Sequence, residues 1–201
     1  MTRALVEPPP LSPAALAELK AWLGITTTRD DGELTSLLRA GLDLCEAFTG
    51  SLPLVAKCED QFVPGANWQL LSARPVQSIA CVEAVGATGV RVTLPVADYA
   101  IDLDGDGSGR VRLFAAEAPD ASGLGGSGWD RSGWDRSGWR IAVRYTAGLA
   151  AEWELLPMAL RQGLIRLAAH EHRQRDGNPA TSALPAAVAA LWRPFRRMRV
   201  A

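Results

Sequence analysis

The sequence predicts an α+β protein: a helical bundle built from an N-terminal and a C-terminal helix pair, with a small antiparallel β module inserted between them. Three observations predict it. Apolar residues recur at helical spacing in residues 13–49 and again in 156–199. Between these stretches apolar residues fall in short runs or alternate, and Pro and Gly punctuate them at roughly 8–12-residue intervals, a β pattern. Short strands bury little by themselves, so the β segment is expected as an insertion within the helical frame. The 201 residues fit one domain, or one domain carrying an insertion. They are enough to bury a core.

Residues 1–11 end in Pro8, Pro9 and Pro10 and read as an extended arm, either free or lying on a neighbour. Ser12 and Pro13 give an N-cap followed by Pro at the first helical position. The helix 13–23 puts Leu16, Leu19 and Leu23 on one face, and Gly24 stops it. Thr26, Thr27 and Thr28 form a linker. Asp30, with Glu33 three residues later, predicts a capping box for the next helix. That helix carries Leu34, Leu37, Leu38, Gly41, Leu42, Cys45 and Phe48 as an amphipathic stripe and ends at Thr49-Gly50. Gly41 costs about 1 kcal/mol relative to Ala, which points to close helix packing there.

The β module, 51–147, is expected to hold strands near 53–63, 67–72, 77–85, 89–94, 98–102, 110–114 and 139–146. Turns fall at 64–67, 86–89 and 104–107, where Gly, Asn, Asp and Pro gather. The second helical stretch, 155–201, completes the core begun by 12–50. Pro157 opens its first helix, and Leu160, Leu164, Leu167 and Ala168 share a face. Asp176, Gly177, Asn178 and Pro179 end it. An Ala-rich helix follows from about residue 184.

That helix runs into Leu191, Trp192, Arg193, Pro194, Phe195, Arg196, Arg197, Met198 and Arg199, which alternate apolar groups with arginine and include no acid. The net charge of −1 hides an asymmetry. Residues 161–201 hold eight Arg and two acids, while 1–160 hold thirteen basic and twenty acidic residues. A basic end on an acidic body suits docking on an acidic surface or head-to-tail stacking. A solvated helix face is the plainer alternative. Nineteen of the twenty-one basic residues are Arg, the better cation for planar, bidentate interface contacts.

Residues 115–138 are rich in Ala, Gly and Ser. Ser-Gly-Trp-Asp-Arg repeats from Ser127, placing Trp129, Trp134 and Trp139 five residues apart. That period is too short for a solenoid unit, which needs about twenty residues or more. The three tryptophans are a candidate contact with a neighbouring subunit or another protein, since Trp is enriched at interface hot spots. A length-variable loop with no role is the alternative.

Signals for chemistry fail on inspection. Asp102, Asp104 and Asp106 begin a calcium-loop pattern, but its twelfth position is Leu113 where a bidentate Glu is required. Gly123 to Gly128 match a phosphate-loop spelling without a strand before or a helix after. His170 and His172 are two apart on a helix and point about 200° away from each other, so they cannot share a metal. No Ser, Cys or carboxylate nucleophile is paired with a base. The sequence predicts neither catalysis nor a cofactor nor a metal. Cys45, Cys58 and Cys81 lack metal or disulfide spacing and read as free thiols in a reducing compartment. No apolar run approaches the ~20 residues of a membrane span. Glu7 and the prolines sit where a signal peptide needs an apolar stretch. The expected location is the cytosol or an assembled particle.

The ordered set of elements resembles a known family. Leu34 to Gly41 and Cys45 to Gly50 lie in the N-terminal helices; Arg74 to Ile79 and Asp98 to Asp102 lie in the strand region. Val143 to Leu149, Leu156 to Leu164, Glu171-His172-Arg173, Leu184-Pro185 and the terminal Leu191 to Arg196 follow. Together they resemble the head–tail connector (adaptor) proteins of tailed bacteriophages and gene transfer agents. The resemblance implies a non-catalytic ring, typically dodecameric, docked under the capsid's portal protein in the virion. The ring extends the DNA channel, passes DNA without sequence-specific binding, and is a platform for the tail-completion (stopper) protein. It implies assembly in the bacterial cytoplasm. It also implies that the terminal segment, from Leu191 on, meets the portal; there Trp192, Phe195 and Met198 are expected as apolar anchors, with Arg193, Arg196, Arg197 and Arg199 on portal carboxylates. The Trp-Asp-Arg repeat departs from the family pattern. A small-ligand or cation-binding α+β module is the alternative.

Overall fold

The computed structural model describes residues 2–86, 88–114, 139–174 and 184–196. In chain order these form β1 (Thr2–Glu7), α1 (Pro13–Leu23), α2 (Asp31–Thr49), β2 (Ala56–Phe62), β3 (Gln69–Leu70), β4 (Val76–Val85) and β5 (Arg91–Thr93). Then come β6 (Tyr99–Leu103), β7 (Gly109–Leu113), β8 (Arg140–Ala147), α3 (Met158–Gln174) and α4 (Ala186–Trp192). The fold is mixed α+β with antiparallel sheets. The chain divides into two units: Met1–Glu7 with Ala56–Ala147, and Pro8–Val55 with Gly148–Ala201.

The first unit holds both sheets. The larger has the order β1-β2-β8-β4-β5, the smaller β3-β7-β6. β8 is central and buries five of its eight positions: Ile141, Ala142, Val143, Tyr145 and Ala147 are all inaccessible, the reading of a strand covered on both sides. The N-terminal arm differs from expectation. Thr2–Glu7 pairs antiparallel with β2, from Thr2 opposite Gln61 to Glu7 opposite Lys57. It lies on its own chain as an edge strand, and Pro8 to Pro10 end it, since proline donates nothing to a ladder.

In the smaller sheet, β6 and β7 form a hairpin across the Asp-Gly-Asp-Gly turn, with Asp102 opposite Arg110. Gly109 of β7 lies against β4; a Cβ there would sit 2.8 Å from Val76 Cγ2. Buried Asp60 is fully satisfied: it accepts from Ser72 N (2.7 Å), Ser72 Oγ (2.6 Å) and the Tyr145 hydroxyl (3.0 Å). Burial pushes the Tyr145 phenol well above its ordinary range.

The helical unit begins as the sequence expects. Ser12 Oγ accepts the Ala14 N–H, and Gly24, at φ 74°, turns the chain out of α1. α2 starts differently. Asp30 is its N-cap residue but makes no side-chain capping bond, because its φ of −101° and ψ of 8° lie outside the extended conformation that aims a cap. The neighbouring Asp31 instead pairs with Lys20 at 2.6 Å. The α2 stripe is buried at Leu34, Leu38, Gly41, Cys45 and Thr49. At Gly41 a Cβ would meet Leu164 Cδ2 at 3.4 Å, so α2 packs closely on α3. Burial pushes the Cys45 thiol up to about 12, which leaves it un-ionised and inert. None of the three cysteines is in a disulfide. No helix among the described residues is long and apolar enough to cross a membrane.

One backbone contact closes this unit at its strand-like ends. Gly148, at φ 145°, passes so near the other segment that a Cβ would fall 2.5 Å from Val55 Cα and 2.6 Å from Leu54 O. Leu149 N then donates to Leu52 O, and Val55 N to Ala150 O. Both the φ and the space demand glycine. Gly148→Ala is expected to cost about 1–3 kcal/mol of stability, read from urea unfolding midpoints.

Candidate functional site

The C-terminal segment is anchored by Val188 and Trp192, with Leu191 and Phe195 packed beside them. α4 is only Ala186–Trp192, followed by a single 3-10 turn, Arg193–Phe195. Trp192 is completely buried. Its indole N–H donates to Leu160 O at 3.3 Å, and its ring meets Phe48 with centroids 6.1 Å apart. It rests on the backbone of Gly163, where a Cβ would come within 2.1 Å of Nε1. Trp192 is therefore a core residue of the helical unit. Its assignment as an exposed docking anchor is corrected: a side chain already sealed against α2 and α3 has no surface to offer a partner.

What Trp192 does is present its neighbours. Arg193, Pro194 and Arg196 are exposed, while Leu191 and Phe195 are half-buried against the core. Arg196 lies 5.6 Å over the Phe48 ring, a cation–π contact that orients the guanidinium. Arg197, Met198 and Arg199 lie outside the described residues, as do Trp129 and Trp134. Trp139 is half-buried, with its ring beside Gly86. It belongs to the β unit, whereas the terminal segment belongs to the helical unit.

Sequence reasoning missed two clusters in the β unit. The first is an ion-pair network on the larger sheet. Glu59 is buried; its two oxygens accept from Arg91 Nη1 and Nη2 at 2.8 and 2.9 Å, from Arg144 Nε at 3.0 Å and from Gln61 Nε2 at 2.8 Å. Glu83 also accepts from Arg91, at 3.0 Å. The Arg91 hydrogen bonds hold the Glu59 carboxyl down to about 2. A carboxylate so fully engaged is structural, with no lone pair left for acid–base work. Cross-strand opposition of Glu59 and Arg144 is the signal, but it needs the β2–β8 register to be seen.

The second cluster is on the smaller sheet. Arg110 and Arg112 lie 5.2 and 5.0 Å from the centroid of Trp68, and Arg112 lies 5.6 Å from that of Phe114. The Arg-x-Arg spacing in a strand was the available signal, since alternate residues share a face. The cation reading of the hairpin loses its ligands. Arg110 Nε donates to Asp102 Oδ2 at 2.8 Å, and Asp106 accepts from Ser108 N and Oγ at 2.7 and 2.9 Å. Asp102 and Asp106 are thus already engaged by their own chain. His172 Nδ1 lies 3.9 Å from Glu33.

The sequence matches no family model and no curated protein. Solved structures do match in shape. A chain from the neck of an empty gene transfer agent particle, computed with C6 symmetry, superposes with a TM-score of 0.73 at 25% identity, covering 100% of this chain and 98% of that one. A chain from the virion of a native gene transfer agent particle gives 0.72 at 24% identity, with 100% and 98% covered. A chain from the neck of the native particle, computed with C12 symmetry, gives 0.67 at 25%, with 98% and 97% covered. End to end, then, this chain has the fold of a chain found in the neck of gene transfer agent particles.

Proposed function

We propose that this protein is a structural component of the neck of a gene transfer agent or phage-like particle. More specifically, it acts as a head–tail adaptor: a ring of copies between the portal protein and the tail-completion protein, extending the channel through which DNA passes. The observation that carries this reading is the fold likeness over 100% of this chain and 98% of the neck chain. Among the described residues, the buried carboxylates Asp60 and Glu59 are engaged in internal hydrogen bonds, and burial keeps the thiol of Cys45 un-ionised. In this role the helical bundle is the ring's frame and the inserted β module its platform. The protein works by shape and adhesion, and small interfaces repeated around a closed ring multiply the area buried.

The terminal segment meets the portal. Arg193 and Arg196 are already displayed, Leu191 and Phe195 add half-buried apolar surface, and Arg197, Met198 and Arg199 continue the pattern. Trp129, Trp134 and Trp139 contact a neighbouring subunit or the tail protein. The test is a truncation that spares the core. Removing residues 197–201 keeps Trp192 in place, so the thermal midpoint should stay within about a degree. Incorporation into particles should fall about tenfold or more, the effect of losing about 1.4 kcal/mol per copy. Particles that incorporate the truncated chain normally would refute the portal contact.

A further inference from the structure

We propose that the outer face of the β3-β7-β6 sheet docks on the exposed segment leading into α3 of a second copy of this chain. The proposal rests on the ring reading above and names the surfaces that would join its subunits.

The two sides of the small sheet differ. Val111 and Leu113 point inward and are buried. Cross-strand partners share a face, so Leu70, Ala100 and Asp102, opposite Arg110 or Arg112, line the other side with the two arginines. Trp68, Leu70 and Phe114 are 39%, 45% and 49% exposed there. Arg112 is held over Trp68 and Phe114, its Nε buried there without a hydrogen-bond partner among the described residues. Arg110 is committed to Asp102; Arg112 has no carboxylate among the described residues. Aromatic surface around a pre-oriented guanidinium is the composition of an interface centre.

The helical unit carries its chemical complement. Between the 3-10 turn Trp153–Leu155 and the first turn of α3, Leu155 is 67% and Met158 60% exposed, and Glu152, Glu154 and Pro157 are exposed with them. Glu154 is engaged by Ser12 Oγ at 2.7 Å, which leaves Glu152 as the available carboxylate. Leu155 and Met158 suit the Trp68 and Phe114 rings, thioether sulfur on aromatic edges included, and Glu152 suits Arg112 in a bidentate pair. Two unlike, complementary patches on one chain make a head-to-tail contact, the kind that generates a ring when its rotation closes.

The test uses particles lacking the native chain, complemented with full-length variants and scored by copies per particle. Arg112→Glu and Glu152→Arg should each lower the copy number about tenfold, and the double exchange should restore it to within about twofold. Met158→Glu, on the helical surface alone, should give the same loss, so the result does not hang on the Trp68 stack surviving at Arg112. Each purified variant should melt as the wild type does. Single variants that assemble normally, or a double exchange that rescues nothing, overturn the proposed contact while leaving the ring intact. Wild-type particles carrying one copy or none at the neck would overturn the ring reading, and the contact with it.

Discussion

Replacing Trp192 with Ala lowers the stability of the helical unit by about 3–5 kcal/mol, the range for removing a large aromatic from a packed core. The indole is completely buried, fills the gap between Phe48 and the Gly163 backbone, and holds Leu160 O. Its loss leaves a cavity, while Leu160 O keeps its partner within α3. Gly163→Ala should act on the same contact from the other side. A methyl group 2.1 Å from Nε1 forces the indole out of its seat, an overpacking cost of about 1–3 kcal/mol. The two substitutions touch, so their effects should not add. Urea unfolding of the single and double variants reads all three values. A Trp192→Ala variant as stable as wild type would mean that the terminal segment is not anchored where it lies. A deletion from residue 191 onward is expected to unfold the protein as well as detach it, whereas deletion from 197 isolates docking.

The second large effect is expected at Glu59. Glu59→Gln should cost about 1–3 kcal/mol, because it takes the buried carboxylate from Arg91 and Arg144 and leaves them only Glu83, at 3.0 and 3.7 Å. The pH dependence has a definite sign. The folded carboxyl is held down to about 2, below the 4.5 of the free group. Its contribution is complete above pH 4.5 and lost as the pH falls toward 2. Wild-type melting temperature should therefore drop steeply across that window. In Glu59→Gln the drop should be shallower, with the two proteins converging at the acid end. Parallel curves for the two would contradict the network's role.

Much of the fold was legible because it depends on local rules. Ser12, Gly24, Gly50 and Pro157 mark helix ends by backbone chemistry alone, and the leucine stripe of α2 fixes its inner face. The strands were found where residues alternate. What stayed hidden depends on register and long-range approach. Thr2–Glu7 reads as an arm because only β2, fifty residues on, gives it a partner. The capping box at Asp30 and Glu33 fails because the backbone there takes another conformation. Trp192 reads as a surface anchor because its neighbours are arginines; the glycine that seats it lies one helix away. Trp68 and the paired arginines meet only once β3 and β7 are in register.

The terminal segment is an anchored core tryptophan followed by displayed cations. Rigid display limits the conformational entropy lost on docking. The five-stranded sheet is braced by a satisfied charge network, and the three-stranded sheet keeps its aromatic face outward.

The most direct measurement is a cryo-electron-microscopy reconstruction of intact particles, with and without an epitope tag on this chain. The account predicts a closed ring of copies at the capsid–tail joint, with residues 193–199 of each copy against the portal. Tag density on the capsid shell or along the tail tube, with none at the joint, would contradict it.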